Sequence, residues 1–381
     1  QRIGIYGGGQ LGAYLCQAAA KLGLTTSVLA FAQDSMAKTF ADRCIVAPQS
    51  DLQAVRTLLD CSDVLTFEVE DVPAETLDEV QQWEEAGAVA VAPSIAVMRL
   101  LQNKRSQKHW LQRHGLPTAE FVACDEAVTM ADLTQALGLP FVQKADRGGY
   151  DGKGVQVIRQ NADADQLWRG GAFAERYIDD KRELAVLIAR SVSGEVKCYP
   201  VVEMTFDEQG NVLRQAHAPA QIAADVARRA EALARQIVES LQGVGIFAIE
   251  MFLTAEGELL INEVSPRVHN TGHLTMEGHA TSQYEQHLLA ITGQPLGEVT
   301  QRLPAVMRNI LYGDELKAMP SLSCGATPWN KSTNVHWYGK RGGAHLRKMG
   351  HITALGADVA SAEYEIEAAL GALLRAPGGA G

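Results

Sequence analysis

Short apolar runs alternate with stretches of helical period through the first part of the chain. Residues 2–6 read as a buried strand. The glycine-rich Gly7-Gly8-Gly9-Gln10-Leu11-Gly12 follows, and a helix runs on to about Leu22. Residues 26–30, 45–46, 64–67 and 89–91 supply further strands, with a helix over 74–85. Such alternation predicts a doubly wound, Rossmann-like α/β domain over residues 1–97.

A basic amphipathic helix over 98–114, closed by Gly115-Leu116-Pro117, opens the next domain, 98–295. Strands fall at 141–144, 155–158, 173–178, 183–192, 198–206, 247–253 and from Leu259 onward, with helices over 221–242 and 283–291 that stop at Gly243 and Gly293. This mixed order is α+β, with a glycine-rich subdomain at about 115–180. Residues 296–381 read as a small, strand-rich C-terminal domain.

Polar residues concentrate where these strands end. The stretch from Asn262 to His273 places Glu263, Arg267, His269, Asn270 and His273 behind the apolar Leu259-Leu260-Ile261. The preceding apolar run carries one carboxylate, Glu250, and Thr254-Ala255-Glu256-Gly257-Glu258 signals a hairpin. A two-residue turn at Glu256-Gly257 sets Glu250 directly opposite Glu263. Like charges so placed require a shared proton or a cation, and paired carboxylates with a nucleotide's oxygens suit Mg²⁺. A register one residue off would put one glutamate in solvent, and the hairpin by itself does not choose.

Between strands 141–144 and 155–158 lies a loop containing Gly148, Gly149, Tyr150, Asp151, Gly152, Lys153 and Gly154. It leads into a strand, whereas P-loops and dinucleotide turns lead into helices. Backbone N–H groups with Lys144 and Lys153 suit a lid over a polyphosphate, a solvated hairpin tip being the plain alternative. Gly7 to Gly12 has the strand–turn–helix context of a dinucleotide site. Strand 26–30 lacks an immediate acid for a ribose, however, Asp34 being the nearest, so a turn serving another ligand is favoured. Glu68 and Glu70 follow strand 64–67, where ligands of such sheets gather, unless they are simply solvated loop acids.

Composition narrows the class. Hydrophobic content of 46% and charged content of 21% describe an ordinary globular protein. A net charge of −11 excludes a general binder of nucleic acid or anionic membrane, so a phosphate site must rest on a local basic cluster such as that near Lys340. No run is long enough to span a bilayer. Cys16, Cys44, Cys61, Cys124, Cys198 and Cys324 are scattered, which suits free thiols in a reducing compartment. With no basic-then-apolar leader before the first strand, a cytoplasmic location is expected.

Lys144, the Gly148–Gly154 loop, the Glu250 strand and the Asn262-Glu263 strand together resemble the ATP-grasp superfamily, which holds ATP between two α+β subdomains. More narrowly, four stretches resemble the N5-carboxyaminoimidazole ribonucleotide synthetases of purine biosynthesis. They are Gly7–Gly12, Gly148–Gly154, Asn262–His273, and His336-Trp337-Tyr338-Gly339-Lys340 with Arg347-Lys348-Met349-Gly350-His351. The resemblance runs in order over nearly the whole chain. It implies a pre-ATP-grasp domain ahead of the core, and a cytoplasmic, homodimeric ligase. That ligase carboxylates 5-aminoimidazole ribonucleotide with ATP and bicarbonate, by way of carboxyphosphate.

Residue roles come with the resemblance. Glu250 and Glu263 hold Mg²⁺, and Asn262 stands beside it. Arg99, Lys144 and Lys153 meet phosphate, while Gly149, Tyr150, Asp151, Gly152, Gly154 and Val155 close over ATP. Glu175, Arg176, Tyr177 and Ile178 line the adenine, and Glu183 accepts from the ribose. Tyr150, Asp151, Lys153, Arg267, His269 and Asn270 surround the imidazole and bicarbonate, with Arg267 the partner of the carbonate and Asp151 either orienting the amine or accepting its proton. Gln10 and one of Glu68 and Glu70 meet the sugar, and Lys340 clamps the 5′-phosphate with Arg347, Lys348 or Arg341. The chain departs from the family in having Gly343-Ala344-His345-Leu346 where Arg-Pro-Gly is common, which leaves the second clamp residue open. Phe206 stands where some relatives carry a nucleotide-contacting histidine, so no contact is assigned there.

Three rival readings compete with this one. A zinc hydrolase built on His269, His273 and Glu263 needs both histidines on one helical face, against the turn-forming Asn270-Thr271-Gly272. His273 and His279 read instead as structural polar residues. A formate-dependent glycinamide ribonucleotide transformylase is the rival within the superfamily, and the Lys340–His351 motif argues against it. An NAD-dependent dehydrogenase built on Gly7 to Gly12 leaves the Gly148 loop and the paired carboxylates unexplained.

Overall fold

A computed structural model describes residues 1–149, 154–207, 212–313, 332–340 and 345–375. Strands β1 (Arg2–Tyr6), β2 (Thr25–Ala30), β3 (Arg43–Val46), β4 (Val64–Phe67) and β5 (Ala90–Val91) form a parallel sheet in the order β3-β2-β1-β4-β5. Helices α1 (Gln10–Lys21), α2 (Leu52–Asp60) and α3 (Ala74–Glu85) connect them. Ile3, Ile5, Val28, Leu29, Leu65 and Phe67 are buried, as expected of a parallel sheet covered on both faces. The strand order reverses between β1 and β4, and the crevice at their carboxyl ends is where such sheets bind ligands. Gly7 and Glu68 lie there.

The single helix expected over 98–114 is two, α4 (Ile95–Leu101) and α5 (Lys104–Arg113). The break has a local cause. Asn103 adopts extended backbone and its side chain accepts from the Ser106 N–H at 2.8 Å, capping a new helix.

A small antiparallel sheet follows, β6 (Phe121–Cys124), β7 (Phe141–Ala145), β8 (Val155–Ile158) and β9 (Ala172–Arg176), in the order β6-β9-β7-β8. It packs against α6 (Met130–Leu137), which a Thr129–Asp132 capping box initiates. The third sheet contains β10 (Arg182–Arg190), β11 (Val196–Cys198), β12 (Val202–Phe206), β13 (Leu213–Ala218), β14 (Gly245–Leu253), β15 (Leu259–Ser265), β16 (Ala305–Leu311), β17 (Thr333–Trp337) and β18 (Lys348–Leu355). Its order is β15-β14-β10-β12-β13-β16-β18-β17, with β11 alongside β10. The C-terminal strands therefore extend the central sheet through the β13–β16 pairing. Helix α7 (Ala224–Leu241) packs on β10 and β14. After β15 come α8 (Thr275–Gly278) and α9 (Gln283–Thr292), and α10 (Val359–Arg375) lies on β16 and β18.

One apolar core crosses the first and central regions. Tyr14 and Leu15 of α1 share it with Leu288 and Ile291 of α9 and with Ile246 and Ala248 of β14. This packing brings the carboxyl ends of β1 and β4 up to the end of β15. Among the described residues no helix is long and apolar enough to cross a membrane.

Candidate active site

The β14–β15 hairpin carries the acid pair. Glu250 does lie opposite Glu263, but by a different route from the two-residue turn. Three residues, Ala255 to Gly257, separate the hydrogen-bonded Thr254 and Glu258, and Gly257 takes the positive φ of +82° that a three-residue hairpin needs. That shifts the register by one. A bulge at Asn262 then shifts it back, because Met251 faces Ile261 while Glu250 faces Glu263. The extra residue also cancels the normal alternation of faces, so Asn262 and Glu263 both serve the site.

The outer edge of β15 is tied to the α5 region on either side of the bulge. The Ile261 N–H donates to the Pro117 carbonyl at 2.8 Å, and the Gln107 amide both accepts from and donates to the Val264 backbone at 2.9 Å. Lys104, on the same helix, reaches the Glu263 carboxylate in an ion pair. Burial alone would raise the Glu263 carboxyl, but Lys104 outweighs it and holds Glu263 below the usual range. Among the described residues Glu250 has no ammonium partner of this kind. Burial, then Glu263, then Glu183 push its carboxyl well above the usual range.

A chain of charges continues from this pair. Lys144 Nζ donates to Asn262 Oδ1 at 2.7 Å and lies 2.6 Å from Glu175 Oε1. Lys108 Nζ lies 2.7 Å from the other Glu175 oxygen and donates to Thr118 Oγ1 at 2.7 Å. Burial favours the neutral acid at Glu175, yet Lys108 and Lys144 overcome it and hold the carboxyl at about 2. Burial in turn lowers Lys108, despite Glu175.

The other half of the site faces the first domain. Arg267 Nε is 3.1 Å from Glu70 Oε1, across the seam between β4 and β15. His269 Nε2 is 3.6 Å from Glu250 Oε1, and the Thr271 backbone N–H approaches His269 Nδ1 at 3.4 Å. A backbone N–H can only donate, so Nδ1 is the acceptor and the neutral ring carries its proton on Nε2. Burial, then Arg267 and Lys348, keep His269 well below the usual histidine range. Lys340 Nζ donates to Gln10 Oε1 at 3.2 Å and to the Lys348 carbonyl at 3.0 Å, joining the C-terminal strands to the start of α1. The Arg347 carbonyl accepts from Tyr312 N–H at 2.9 Å.

Several expected residues sit elsewhere. Arg99 is not brought to the acid pair: its guanidinium is held by Asp78 at 2.5 Å and Gln81 at 3.4 Å on α3. The Asn103 break turns α4 away and brings Lys104 in. Asn270 is not presented to the cleft as expected, because its amide forms a reciprocal pair with Asn309 of β16 at 3.2 and 2.7 Å, deep in the core. Glu68 is turned into the α1 N-terminus, accepting from Gly9 N–H at 2.7 Å, and burial raises its carboxyl. A Cβ at Gly9 would come within 2.5 Å of that carboxylate, which is why glycine stands there. Of the two acids left open, Glu70 is the one in the seam.

On the adenine side, the Glu175 side chain belongs to the lysine triad, and Arg176 pairs with Glu120 at the surface. Tyr177 and Ile178 follow β9 in the turn to β10, where Lys181 lies 4.1 Å above the Phe252 ring. Glu183 is raised by burial. Gly149, Gly154 and Val155 mark the two ends of the glycine-rich loop where it joins β7 and β8. Tyr150, Asp151, Gly152, Lys153 and Arg341 lie outside the described residues.

Residues 1–102 match the ribonucleotide synthetase preATP-grasp domain, 109–284 the ATP-grasp domain, and 305–365 the phosphoribosylaminoimidazole carboxylase C-terminal domain. The N5-carboxyaminoimidazole ribonucleotide synthase of Bacillus subtilis is 37% identical over 358 residues, covering 92% of this chain and 90% of that protein. This chain belongs to the N5-carboxyaminoimidazole ribonucleotide synthase family. The family structure from Thermotoga maritima superposes with a TM-score of 0.83 at 34% identity, over 97% of this chain and 98% of that one. The Aspergillus clavatus structure, in complex with ADP and 5-aminoimidazole ribonucleotide, gives 0.86 at 30% identity over 98% and 99%.

Family membership makes the chain an ATP-grasp enzyme. The rivals fail on geometry as well. Glu68 occupies the anion position that a dinucleotide would need at α1. Both ring nitrogens of His273 face tyrosine hydroxyls, those of Tyr284 and Tyr338. Lys104 and Lys108 fall in the gap between the two matched stretches 1–102 and 109–284, outside the recognised motifs. Their i, i+4 spacing on a helix was the signal available in the sequence.

Proposed function

We propose that the chain carboxylates 5-aminoimidazole ribonucleotide with bicarbonate at the expense of ATP, giving N5-carboxyaminoimidazole ribonucleotide, ADP and phosphate by way of carboxyphosphate. The opposed Glu250 and Glu263 carry this reading: a bulged hairpin holds two carboxylates together, with the Lys104 ammonium paired to Glu263, beside a seam lined by Arg267 and Glu70.

The all-oxygen donor set of Glu250, Glu263 and the adjacent Asn262 fits Mg²⁺, which would neutralise charge on the phosphates when bound. Lys104 and Lys144 exchange their present carboxylate and amide partners for phosphate oxygens. Arg267 leaves Glu70 to pair with the carbonate, a bidentate anion suited to a guanidinium. Neutral His269 offers its Nε2–H from the Glu250 side and orients the carboxyl group as it leaves phosphate. Tyr150, Asp151 and Lys153 complete this half, with Asp151 on the exocyclic amine. Glu175 to Ile178 and Glu183 receive the adenosine, and Gln10, Glu70 and Lys340, with Arg347 and Lys348, receive the ribose phosphate. A cytoplasmic homodimer is the setting this reading implies.

ADP release in the presence of bicarbonate and Mg²⁺ should depend strongly on 5-aminoimidazole ribonucleotide. Full activity with glycinamide ribonucleotide and formate in its place would sink the assignment.

A further inference from the structure

Helix α1, the segment after β15, and strands β17 and β18 meet at one buried cluster of rings. His273 and His351 stack with centroids 4.2 Å apart and planes 1° apart, and His336 stacks on His351 at 4.4 Å and 12°. Tyr14 of α1 presents its edge relation to all three, at 5.6, 6.0 and 5.8 Å. Burial holds His273 and His351 well below the usual histidine range, which keeps those two rings uncharged.

Hydrogen bonds tie the stack together. The Tyr338 hydroxyl lies 2.8 Å from His351 Nδ1 and 3.3 Å from His273 Nε2, and the Tyr284 hydroxyl lies 2.7 Å from His273 Nδ1. A neutral imidazole has one donor and one acceptor nitrogen. If His351 Nδ1–H donates to Tyr338, the Tyr338 hydroxyl donates to His273 Nε2 and His273 Nδ1–H donates to Tyr284. The opposite tautomers reverse every step. In both directions the Tyr338 hydroxyl is the joint between β18 and the central region.

Each end of this path reaches the ribonucleotide half of the site. Lys340 follows Tyr338 by two residues, and its ammonium lies 5.1 Å from the Tyr338 ring centroid. Tyr284 adjoins Gln283, whose amide accepts from His269 N–H at 2.9 Å and donates to the His269 carbonyl at 2.7 Å. We propose that Tyr338 is a positioning residue for the ribonucleotide, its hydroxyl fixing the Lys340 segment against the His269 segment. The phosphate partner and the partner of the reacting end are thereby held at one spacing. A shift of an ångström between them would misplace the substrate, and the buried hydrogen-bonded path from His351 through Tyr338 and His273 to Tyr284 resists such a shift. The proposal rests on Lys340 as the phosphate clamp.

Steady-state kinetics with each substrate varied separately tests it. Tyr338→Phe keeps the ring under Lys340 but removes the joint, and should raise the KM for the ribonucleotide about tenfold while the KM for ATP stays within about twofold. Tyr14→Phe removes a hydroxyl that has no hydrogen-bond partner in the same cluster and should leave both constants unchanged. Should Tyr338→Phe fold poorly, His351→Leu and His351→Asn ask the same question from the other side: Leu raises the ribonucleotide KM, and Asn, with a polar atom near the Nδ1 position, restores it. Equal rises in both KM values, or none, would overturn the positioning role provided that Lys340→Ala still raises the ribonucleotide KM. No effect from Lys340→Ala would overturn the clamp, and the positioning role with it.

Discussion

Glu175 on β9 and Glu250 on β14 stand within one charged chain, linked through Lys144 and Asn262, yet their surroundings push them in opposite directions. Glu175 is buried with a lysine on each oxygen and sits at about 2. Glu250 lies on the cleft floor with 15% of its side chain exposed, and burial with Glu263 and Glu183 raises it. The first is a completed ion triad. The second, among the described residues, has more negative than positive neighbours, and a bound cation would complete it. Depth alone therefore does not separate a structural acid from a functional one; the balance of charge around it does.

That contrast breaks most visibly at the metal pair. Glu263→Gln should lower turnover by about 10³-fold or more, with loss of normal Mg²⁺ dependence. Mg²⁺ titrations that match the parent would refute the pairing. Glu250→Gln should also abolish turnover, yet leave the metal-free protein as stable as the parent or more so, because it removes a repulsion. Glu175→Gln should do the reverse to stability, costing about 3–5 kcal/mol in urea unfolding because Lys108 and Lys144 lose their shared partner. A small loss there would mean that the triad is not what holds these lysines.

Acid and base should separate the two residues next. Glu250 is raised to about 8, so the folded metal-free protein keeps a proton that the unfolded chain, near 4.5, has released. Its contribution therefore falls as pH rises from about 4.5 through about 8, and Glu250→Gln should flatten that slope in thermal unfolding with chelator present. Glu175 is lowered, so its contribution is complete above 4.5 and is lost as pH falls towards about 2. The smallest effect is expected at Arg99, whose partner Asp78 is 63% exposed. Arg99→Gln should change the KM for ATP less than about twofold, as a surface pair is worth at most about 1 kcal/mol, whereas Lys104→Gln should raise it clearly. An inverted order would restore Arg99 to the site.

Much of this was legible in the sequence, for uneven reasons. The hairpin pattern left two registers open, and the one that opposes Glu250 to Glu263 holds although its two-residue turn is not there, because the longer loop and the Asn262 bulge offset each other by one residue each. Alternation of residue types shows which strands are buried, but a bulge leaves no mark in it. Arg99 came in with the family resemblance and Lys104 was not singled out, since the pattern on 98–114 continues in helical period and the Asn103 cap that turns Lys104 inward interrupts it only locally. Asn270 carries the same polar signature whether it faces substrate or Asn309. The Glu68 carboxylate was placed at the right end of the sheet, but its capture by the Gly9 N–H depends on how β4 and α1 approach, which no local pattern encodes. Lys340 and Gln10 were each expected at the ribose phosphate, and the contact of 3.2 Å between them is something neither motif shows by itself.

The pairing of β13 with β16 makes the C-terminal strands part of the central sheet. A chain ended near residue 300 would therefore not be a clean removal of one module. It would strip the ladder from Gln215 to Ala218 and leave a raw edge of unpaired N–H and C=O groups, the kind of surface through which chains join one another into aggregates. The same strands that flank Lys340 and hold it against Gln10 also keep that edge of the sheet covered.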